Sequence, residues 1–431
     1  MFSNIYIMSS CVYLDANGTT IMPPRVISEM IKWATRGNAS SLYPSAKASN
    51  KMIDLFREEL ADRSNFSLIG PEGYTVLFTG GGSEANSMII TSTARSFMKL
   101  TNKRPHIITS SIEHDNIMLL TKDLSEEGVD FTIIEPETNG SNMGSIDPES
   151  VANEIRPNTC LITIMAVNNE TGIKNDIRTI GEIAKLNKIP FHTDAVQVFG
   201  KYPINPEINN ITSFSGSFHK LHGPTGLGVI VIKNSFIEGY QLKPIVHGHQ
   251  NYGLRGGTEC VHNIAAAKEA YKMTFENRDK KNNNMKILRK YMMSQLQERF
   301  ITYLLDDFRI NNPTHPSAFL VFVLPKGNDN ATVPNTLLIS VCQTDICNGN
   351  IREKLADANI YVSIGSACKT GDKKSSHVLK ALKVPRELIP GIIRVSLSDF
   401  NTKKDIDYFV ETFTELIKSK QCLKSKKSSG T

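Results

Sequence analysis

The sequence has few features of a disulfide-bonded or zinc-stabilised protein. No CxxC pair occurs in its 431 residues, and its seven cysteines are widely scattered, as Cys11, Cys160, Cys260, Cys342, Cys347, Cys368 and Cys422. An odd number of dispersed cysteines argues against a disulfide framework and against a structural zinc site. Free thiols in a reducing compartment fit this pattern better.

Long hydrophobic runs are also missing. No apolar stretch approaches the roughly 20 residues needed to span a bilayer, so no membrane span is expected. The N-terminal sequence MFSNIYIMSSC is too short and too poor in basic residues for a signal or transit peptide. From these absences we expect a cytoplasmic protein.

Acidic residues are lacking at the C-terminal end. The net charge is +6, but five lysines with no acidic residue follow Glu415, namely Lys418, Lys420, Lys424, Lys426 and Lys427. These lysines account for most of the excess charge, so residues 417–431 are predicted to be a basic, disordered tail. Because the chain has a single Trp and no basic–aromatic stripe, nucleic-acid binding is not expected.

The middle of the chain predicts a parallel sheet. CLITIMAV (160–167) resembles a buried strand, residues 177–188 carry apolar side chains on one helical face, and IPFHTDAV follows as the next strand. This succession indicates a βαβ unit and an α/β fold. From about residue 265 the composition changes to a Lys- and Asn-rich stretch with a helical pattern, which is followed by new apolar runs. We predict a large domain over residues 21–270 and a smaller domain from residues 1–20 and 271–416.

A glycine-rich stretch, FTGGGSEAN (78–86), lies between a predicted strand and a predicted helix. Glycines at such a junction let backbone N–H groups point outward, and the helix N-terminus adds partial positive charge, so the stretch suits a phosphate. Ser83 adds a hydroxyl. The alternative is a glycine turn with Ser83 as an N-cap, and the stretch by itself does not decide between them.

Two further residues, Asp194 and Lys220, are interpreted together with this glycine-rich stretch. Asp194, in HTDAVQ, ends a predicted parallel strand, where it either caps the next helix or neutralises a cationic ligand group. Lys220, in SFSGSFHKLHGPTGLG, is either an ordinary solvated lysine or one that forms a Schiff base with a carbonyl. In this chain order the three features resemble a pyridoxal phosphate site of the aspartate-aminotransferase fold type.

The resemblance extends along most of the chain. The segments YLDANGTT, GNASS, SSIEHDN, VNNETG, HTDAVQVFGK, GLRGGTE, SIGSACKT and SSHVLKAL, with the glycine and lysine motifs, are similar in order to the cysteine desulfurases of the class V aminotransferase group. This similarity covers residues 12 to 413. It implies pyridoxal phosphate as cofactor and fold type I. In that fold a large domain with a mostly parallel seven-stranded sheet covered by helices is joined to a smaller α+β domain.

The resemblance also implies roles for individual residues. Lys220 would bind the cofactor covalently and later move the α-proton of the substrate, and Asp194 would keep the pyridine nitrogen protonated. Gln197 would hydrogen-bond the ring hydroxyl oxygen, and His114 would stack on the ring and take part in catalysis. The phosphate would be bound by Gly82, Ser83, Ser217, His219 and, from the other subunit, Thr258. The implied assembly is a homodimer.

The remaining implied residues concern the substrate, L-cysteine. Asn169, which also counts among the cofactor contacts, and Arg394 would hold its carboxylate, Arg394 through a bidentate pair. The Cys368 thiolate would attack the substrate sulfur, leaving a persulfide on the enzyme and releasing alanine. Ser376 lies eight positions after Cys368 in this sequence, a spacing that resembles the longer loop of the housekeeping branch of that family. A sulfur-acceptor protein, for iron–sulfur cluster assembly or tRNA thiolation, would take the sulfur.

Two alternatives remain open at this point. One is a selenocysteine lyase or another β-eliminase on the same fold, which would not require Cys368. The other is a catalytically idle protein that retains the fold for binding. Together, Lys220, Asp194, His114 and Cys368 favour the desulfurase, because each supplies a group that the reaction needs.

Overall fold

The computed structural model describes residues 11–343, 346–364 and 376–427, with the side chains of the last helix described up to Ser419. Its helices are α1 (Pro24–Trp33), α2 (Pro44–Ser64), α3 (Gly82–Thr101), α4 (Asp115–Glu126), α5 (Pro148–Asn153), α6 (Ile177–Leu186), α7 (Asn234–Tyr240), α8 (Val261–Phe275), α9 (Arg278–Gln297), α10 (Leu305–Asn311), α11 (Asn348–Asp357), α12 (His377–Ala381) and α13 (Lys403–Lys427). None of the described helices is long and apolar enough to cross a membrane.

The described strands form three sheets. They are β1 (Val12–Tyr13), β2 (Tyr74–Thr79), β3 (His106–Ser110), β4 (Asp130–Ile134), β5 (Thr159–Thr163), β6 (Phe191–Asp194), β7 (Ser213–Ser217), β8 (Gly228–Lys233), β9 (Thr302–Leu304), β10 (Phe319–Phe322), β11 (Thr336–Cys342), β12 (Ile360–Tyr361) and β13 (Ile392–Ser396). The largest sheet has the order β2-β8-β7-β6-β5-β3-β4, and only β8 runs antiparallel to its neighbours. The expected mostly parallel seven-stranded sheet is therefore confirmed.

The predicted βαβ unit is present as β5, α6 and β6. The two strands are parallel neighbours, and α6 begins where the carboxylate of Asp176 accepts the backbone N–H of Thr179 at 3.0 Å. Such an N-cap satisfies a backbone donor that has no partner inside the helix. The unit brings the ends of β5 and β6 to one edge of the sheet, where ligands bind in open α/β folds.

Both faces of the large sheet are covered. Along β3 and β5, neighbouring apolar residues join different cores: Ile108 and Ile162 lie in one, and Ile107 and Leu161 lie in the other. All four side chains are fully buried. Since successive side chains of a strand point to opposite faces, a parallel sheet with two buried faces favours consecutive apolar residues in such strands.

A third core belongs to the smaller sheet, which has the order β13-β11-β10-β9. Residues 285–417 supply this core from the sheet and from α9, α11 and α13, and Val12 and Leu14 join it from the N-terminal end. These residues belong to the ranges expected for the smaller domain. The division of the chain at residues 20, 270 and 416 stays a prediction.

The C-terminal segment differs from the prediction. Residues 417–427, expected to be disordered, continue helix α13, and Ile417 is fully buried. The reason is the helical period of the apolar residues, which recur on one face of the helix and pack into the third core. These residues are Ile406, Phe409, Val410, Phe413 and Ile417. Lysine is a good helix former, so the basic residues that follow extend the helix instead of ending it.

Candidate active site

A cavity of about 400 Å³ lies at the edge of the large sheet where β6 and β7 end. Ten of the residues singled out from the sequence line it: Gly82, Ser83, His114, Asn169, Asp194, Gln197, Ser217, His219, Lys220 and Arg394. They come from segments more than 300 residues apart in the chain. The structure therefore brings the cofactor and substrate residues of the sequence analysis together at one place.

The glycine-rich stretch forms the start of α3. Gly81 supplies no side chain to cap this 20-residue helix, so its first backbone N–H groups are left for another acceptor. Gly82 is buried against Val196, and a Cβ atom added at Gly82 would lie 2.6 Å from a methyl carbon of Val196. A larger residue at position 82 would clash with Val196. Because residue 82 is glycine, the N-terminus of α3 can lie close to the end of β6.

Asp194 is almost completely buried and is held by two donors. Its Oδ1 accepts the backbone N–H of Val196 at 2.9 Å, and its Oδ2 accepts the Asn86 amide at 2.7 Å. A carboxylate has about four lone-pair sites, so two remain for a ligand. The bonding fixes the carboxylate at the floor of the cavity.

Asn86 is in turn fixed by buried neighbours. Its Oδ1 accepts from Ser215 at 2.5 Å and lies 3.1 Å from Nε2 of His192. Because an amide oxygen can only accept, this nitrogen of His192 carries the proton. Burial lowers the pKa of His192 to about 3, so the ring is neutral and adds no charge beside Asp194.

Lys220 follows β7 and reaches back to the first segment of the chain. Its Nζ donates to the backbone carbonyls of Asn17 at 2.6 Å and Gly18 at 2.5 Å. The neighbouring His219 has a pKa lowered to about 4, first by burial and then by the positive charges of Lys220 and Lys201. Neutral His219 can therefore donate a hydrogen bond in the cavity without adding a further positive charge.

His114 caps helix α4 at the mouth of the cavity. Its Nδ1 accepts the backbone N–H of Asn116 at 3.2 Å, which fixes the ring, and the side chain is exposed. The preceding Glu113 is fully buried, where its Oε1 accepts from Ser110 and from the backbone N–H of Met165. Burial raises the pKa of Glu113 to about 8, so this carboxyl is protonated at neutral pH.

Arg394 lies on β13 and enters the cavity from the smaller sheet. One terminal nitrogen donates to Asp15 at 2.6 Å and the other to the backbone carbonyl of Asn169 at 2.9 Å. Its Nε is buried and has no hydrogen-bond partner among the described residues. A buried guanidinium with an unpaired N–H is costly unless an acceptor binds there.

Cys368 lies outside the described residues. Two described residues close to either end of its segment, Ser363 and His377, line the cavity. Ser363 exchanges backbone hydrogen bonds with Arg394. The Nε2 atom of His377 lies 2.8 Å from the backbone carbonyl oxygen of Glu113. The carbonyl can only accept, so His377 Nε2 is the donor.

Thr258 is the one predicted site residue of the described chain that the cavity does not include. It is exposed, and its neighbour Arg255 pairs with Glu84 in the first turn of α3 at 2.9 Å. The loop thus lies near the helix N-terminus. Contact of Thr258 with the cofactor of another subunit stays a prediction.

Sequence reasoning missed several residues that hold the site together. Asn86, Asn17, Asp15 and Glu113 all stood inside quoted motifs, but none of them was assigned a role. Position gave a usable signal for Asn86 alone, because it lies one helical turn after Ser83. The partners of the others are residues far away in the sequence, so their contacts follow only from the fold.

Comparison with known proteins agrees with this geometry. The family model for class-V aminotransferases matches residues 12–409. The cysteine desulfurase IscS of Methanosarcina thermophila is 33% identical over 418 residues, covering 96% of this chain and 94% of the relative. Among solved structures, a NifS-like protein superposes with a TM-score of 0.78 at 29% identity, covering 95% of this chain and 99% of the other.

A second similar structure is a complex with cysteine. SspA in complex with cysteine has a TM-score of 0.70 at 28% identity, covering 90% of this chain and 99% of the other. Since the family model spans most of the chain and the cysteine desulfurase relative covers nearly all of it, the family is established. The chain belongs to the class-V aminotransferases and, within them, to the cysteine desulfurase family.

Proposed function

We propose that this protein is a pyridoxal phosphate-dependent cysteine desulfurase, which removes sulfur from L-cysteine, releases L-alanine and carries the sulfur on Cys368. Pyridoxal phosphate is the cofactor of the family. The observation that carries the proposal is the convergence of Lys220, Asp194 and Arg394 on one cavity. An amine, a buried carboxylate and a guanidinium with an unpaired N–H match the aldehyde, ring nitrogen and substrate carboxylate that the reaction involves.

The residues present fit the cofactor. The uncapped start of α3, with Ser83, Ser217 and neutral His219, offers hydrogen-bond donors for a phosphate. Asp194 has lone pairs left for a protonated ring nitrogen. When bound, the cofactor supplies an electron sink for charge that develops on the α-carbon of the substrate.

Lys220 has two roles in this proposal. Its Nζ would hold the cofactor covalently, and the same amine would take the α-proton of the substrate and return it. The carbonyls of Asn17 and Gly18 hold this Nζ at the cavity wall, so the amine does not have to be ordered during the reaction.

Arg394 binds the substrate carboxylate. Its Nε is the unpaired donor, and Asp15 and the Asn169 carbonyl keep the guanidinium from rotating. A carboxylate that accepts from this guanidinium would lie in the cavity that Lys220 also lines. Arginine suits this contact because its planar fork matches a carboxylate.

Cys368 accepts the sulfur. Its thiolate attacks the substrate sulfur, a sulfur–sulfur bond forms and the carbon–sulfur bond breaks, with the electron pair remaining on the carbon. Protonation of that carbon gives alanine, so the transferred sulfur is oxidised, the β-carbon is reduced and no outside oxidant is needed. The lining of the cavity by Ser363 and His377, on either side of Cys368 in sequence, supports this role.

The proposal extends to the partners and the compartment. We expect a homodimer in which Thr258 contacts the phosphate of the other subunit, and an acceptor protein for iron–sulfur cluster assembly or tRNA thiolation. The cytoplasm is supported by the thiols of the described residues, because Cys160, Cys260, Cys342 and Cys347 are free cysteines. Disulfides are rare in that compartment.

The test uses purified protein loaded with pyridoxal phosphate. It should be yellow and produce alanine and sulfide from L-cysteine in the presence of a reductant. Cys368→Ser should keep the colour and lose sulfide production, whereas the matched control Cys347→Ser, at an exposed free cysteine, should retain both. Sulfide production that survives Cys368→Ser would contradict the persulfide and favour a β-eliminase. A wild-type protein that binds no cofactor would contradict the whole proposal.

A further inference from the structure

Lys201 is a half-buried lysine to which the proposed reaction assigns no role. It lies in the turn that follows β6, four residues after Gln197. Its pKa is lowered to about 7, first by burial and then by the positive charge of Lys220. Lys201 lines a second cavity of about 40 Å³, and Lys220 lines both cavities, so Lys201 lies behind the cofactor site and outside it.

The Lys201 ammonium contacts Gln197. Its Nζ lies 3.4 Å from the Gln197 Oε1, and Gln197 Nε2 lies 3.3 Å from the backbone carbonyl of Asn17. The backbone carbonyl of Asn17 can only accept, so it requires the NH2 group of Gln197 on its side, and this places Oε1 on the side of Lys201, whose amine donates in either protonation state. Among the described residues, Lys201 donates the hydrogen bond that Gln197 Oε1 accepts.

The orientation matters because Gln197 is buried at the cavity wall, with only 5% of its surface exposed. A flipped amide would place its oxygen against the Asn17 carbonyl, with two acceptors facing each other. It would also leave the NH2 group against the Lys201 ammonium. In the observed orientation the NH2 group lies on the Asn17 side, next to the carbonyl that also accepts from Lys220. This group has a second hydrogen that it can donate into the cavity.

We propose that Lys201 is a positioning residue: it holds the amide oxygen of Gln197, so that the NH2 group of Gln197 donates to the ring oxygen of pyridoxal phosphate. This inference rests on the proposed cofactor site and goes further by assigning the group that orients one of its contacts. A ring oxygen that has lost its proton needs such a donor and is repelled by an amide oxygen.

The positive charges of Lys201 and Lys220 also act on each other, which defines a second role to be distinguished from the proposed one. The two roles differ in one respect. If Lys201 acts through the Gln197 amide, removing Lys201 has no further effect once that amide is gone. If Lys201 acts on Lys220 through charge, its removal has the same effect with or without Gln197.

The experiment measures pyridoxal phosphate binding, without cysteine. The dissociation constant and the absorption spectrum of the bound cofactor are determined at one pH for the wild type, Lys201→Met, Gln197→Met and the double variant. Lys281→Met is the matched control, because Lys281 lines the same second cavity but pairs with Asp399 at 3.0 Å. Lys201→Arg keeps a donor for the amide. If Lys201→Met does not fold, Lys201→Ala is compared with Lys281→Ala.

Loss of one hydrogen bond corresponds to about a tenfold weaker binding of pyridoxal phosphate. We expect this for Lys201→Met, with a change in the absorption spectrum that Lys201→Arg restores and Lys281→Met lacks. The double variant should equal Gln197→Met. Unchanged binding and spectrum in Lys201→Met would overturn the inference, as would a further weakening in the double variant. If the wild type binds no cofactor, the proposed function fails instead, so the two failures are distinguishable.

Discussion

Asp194 and Arg394 line the same cavity from different sheets, and they are bonded in different ways. Asp194, at the end of β6, has donors on both oxygens, and its partner Asn86 is itself held by buried Ser215 and His192. Arg394, on β13, has acceptors on its two terminal nitrogens, but its buried Nε has none among the described residues. Each oxygen of Asp194 therefore has a donor, whereas one buried N–H of Arg394 has no acceptor among the described residues.

This difference suits two kinds of ligand. A group that stays bound through every turnover benefits from a carboxylate that is already fixed in place, because no reorganisation is needed when charge develops. A substrate that binds and leaves benefits from an unpaired donor, because satisfying it favours binding of the correct carboxylate. We expect variants on the two sides to separate cofactor binding from substrate binding.

The largest effect is expected for Lys220→Ala, which removes the amine between the two sides. Turnover of L-cysteine should fall by about 10²–10⁴-fold, the usual contribution of a positioned acid–base group, and the covalent attachment of the cofactor should be lost. Alanine release and the cofactor absorption spectrum measure the two effects. Lys233→Ala, at an ion pair with Glu72 far from the cavity lining, serves as control. Near-normal turnover in Lys220→Ala would contradict the assignment.

Arg394→Lys should separate the two sides. A lysine cannot bind a carboxylate with a planar fork, so the KM for L-cysteine should rise about 10- to 100-fold. Binding of pyridoxal phosphate, which depends on the other side, should change less than about twofold. Arg95→Lys, at a surface pair with Glu127, controls for the substitution itself. The comparison between the two sides would fail if cofactor binding weakened as much as KM rose.

Asp399→Asn tests the contact that joins the two regions. Asp399 accepts from His222, after β7, at 2.6 Å and pairs with Lys281 on α9 at 3.0 Å. Burial by itself would raise the pKa of Asp399, but these partners hold it well below its usual range. The ion pair therefore stabilises the protein above the unfolded-state pKa of Asp, and this contribution is lost as the pH falls through the lower folded-state pKa.

We accordingly expect Asp399→Asn to lower the free energy of unfolding by about 2 kcal/mol at pH 7, because hydrogen bonds to a charged group are lost. Urea unfolding at pH 7 and at pH 3 measures the effect. The difference from the wild type should shrink at the lower pH. An equal difference at both pH values would show that the carboxylate charge is not what matters.

The smallest effect is expected for Glu113→Gln. The pKa of Glu113 is raised to about 8, so burial of this carboxyl opposes folding increasingly as the pH rises from the unfolded-state value towards 8. A glutamine does not titrate. The stability of Glu113→Gln relative to the wild type should therefore increase by about 1.4 kcal/mol at most between pH 6 and pH 7. Urea unfolding at the two pH values checks this, and a constant difference would mean that Glu113 is ionised in the folded protein.

Sequence patterns predicted the parts of the fold that depend on local order. The apolar run, the helical face and the next apolar run within residues 160–196 correspond to β5, α6 and β6, because each pattern reflects the period of its own element. Residues 417–427 of the expected tail lie in helix α13, and the spacing of Phe409, Phe413 and Ile417 already carried the helical period. Charge composition says less about a helix than the apolar face that anchors it.

The sequence by itself determined which chemical groups are present and in what order: a glycine-rich turn, the strand-end carboxylate of Asp194, Lys220, Arg394 and Cys368. Only the tertiary structure decided how these groups are held. The contacts of Asn86 with Asp194, of Asp15 with Arg394 and of Lys201 with Gln197 determine which donors are used and which remain. Two of these three contacts join residues more than 100 positions apart, and all three depend on side-chain directions that the packed sheets and turns impose.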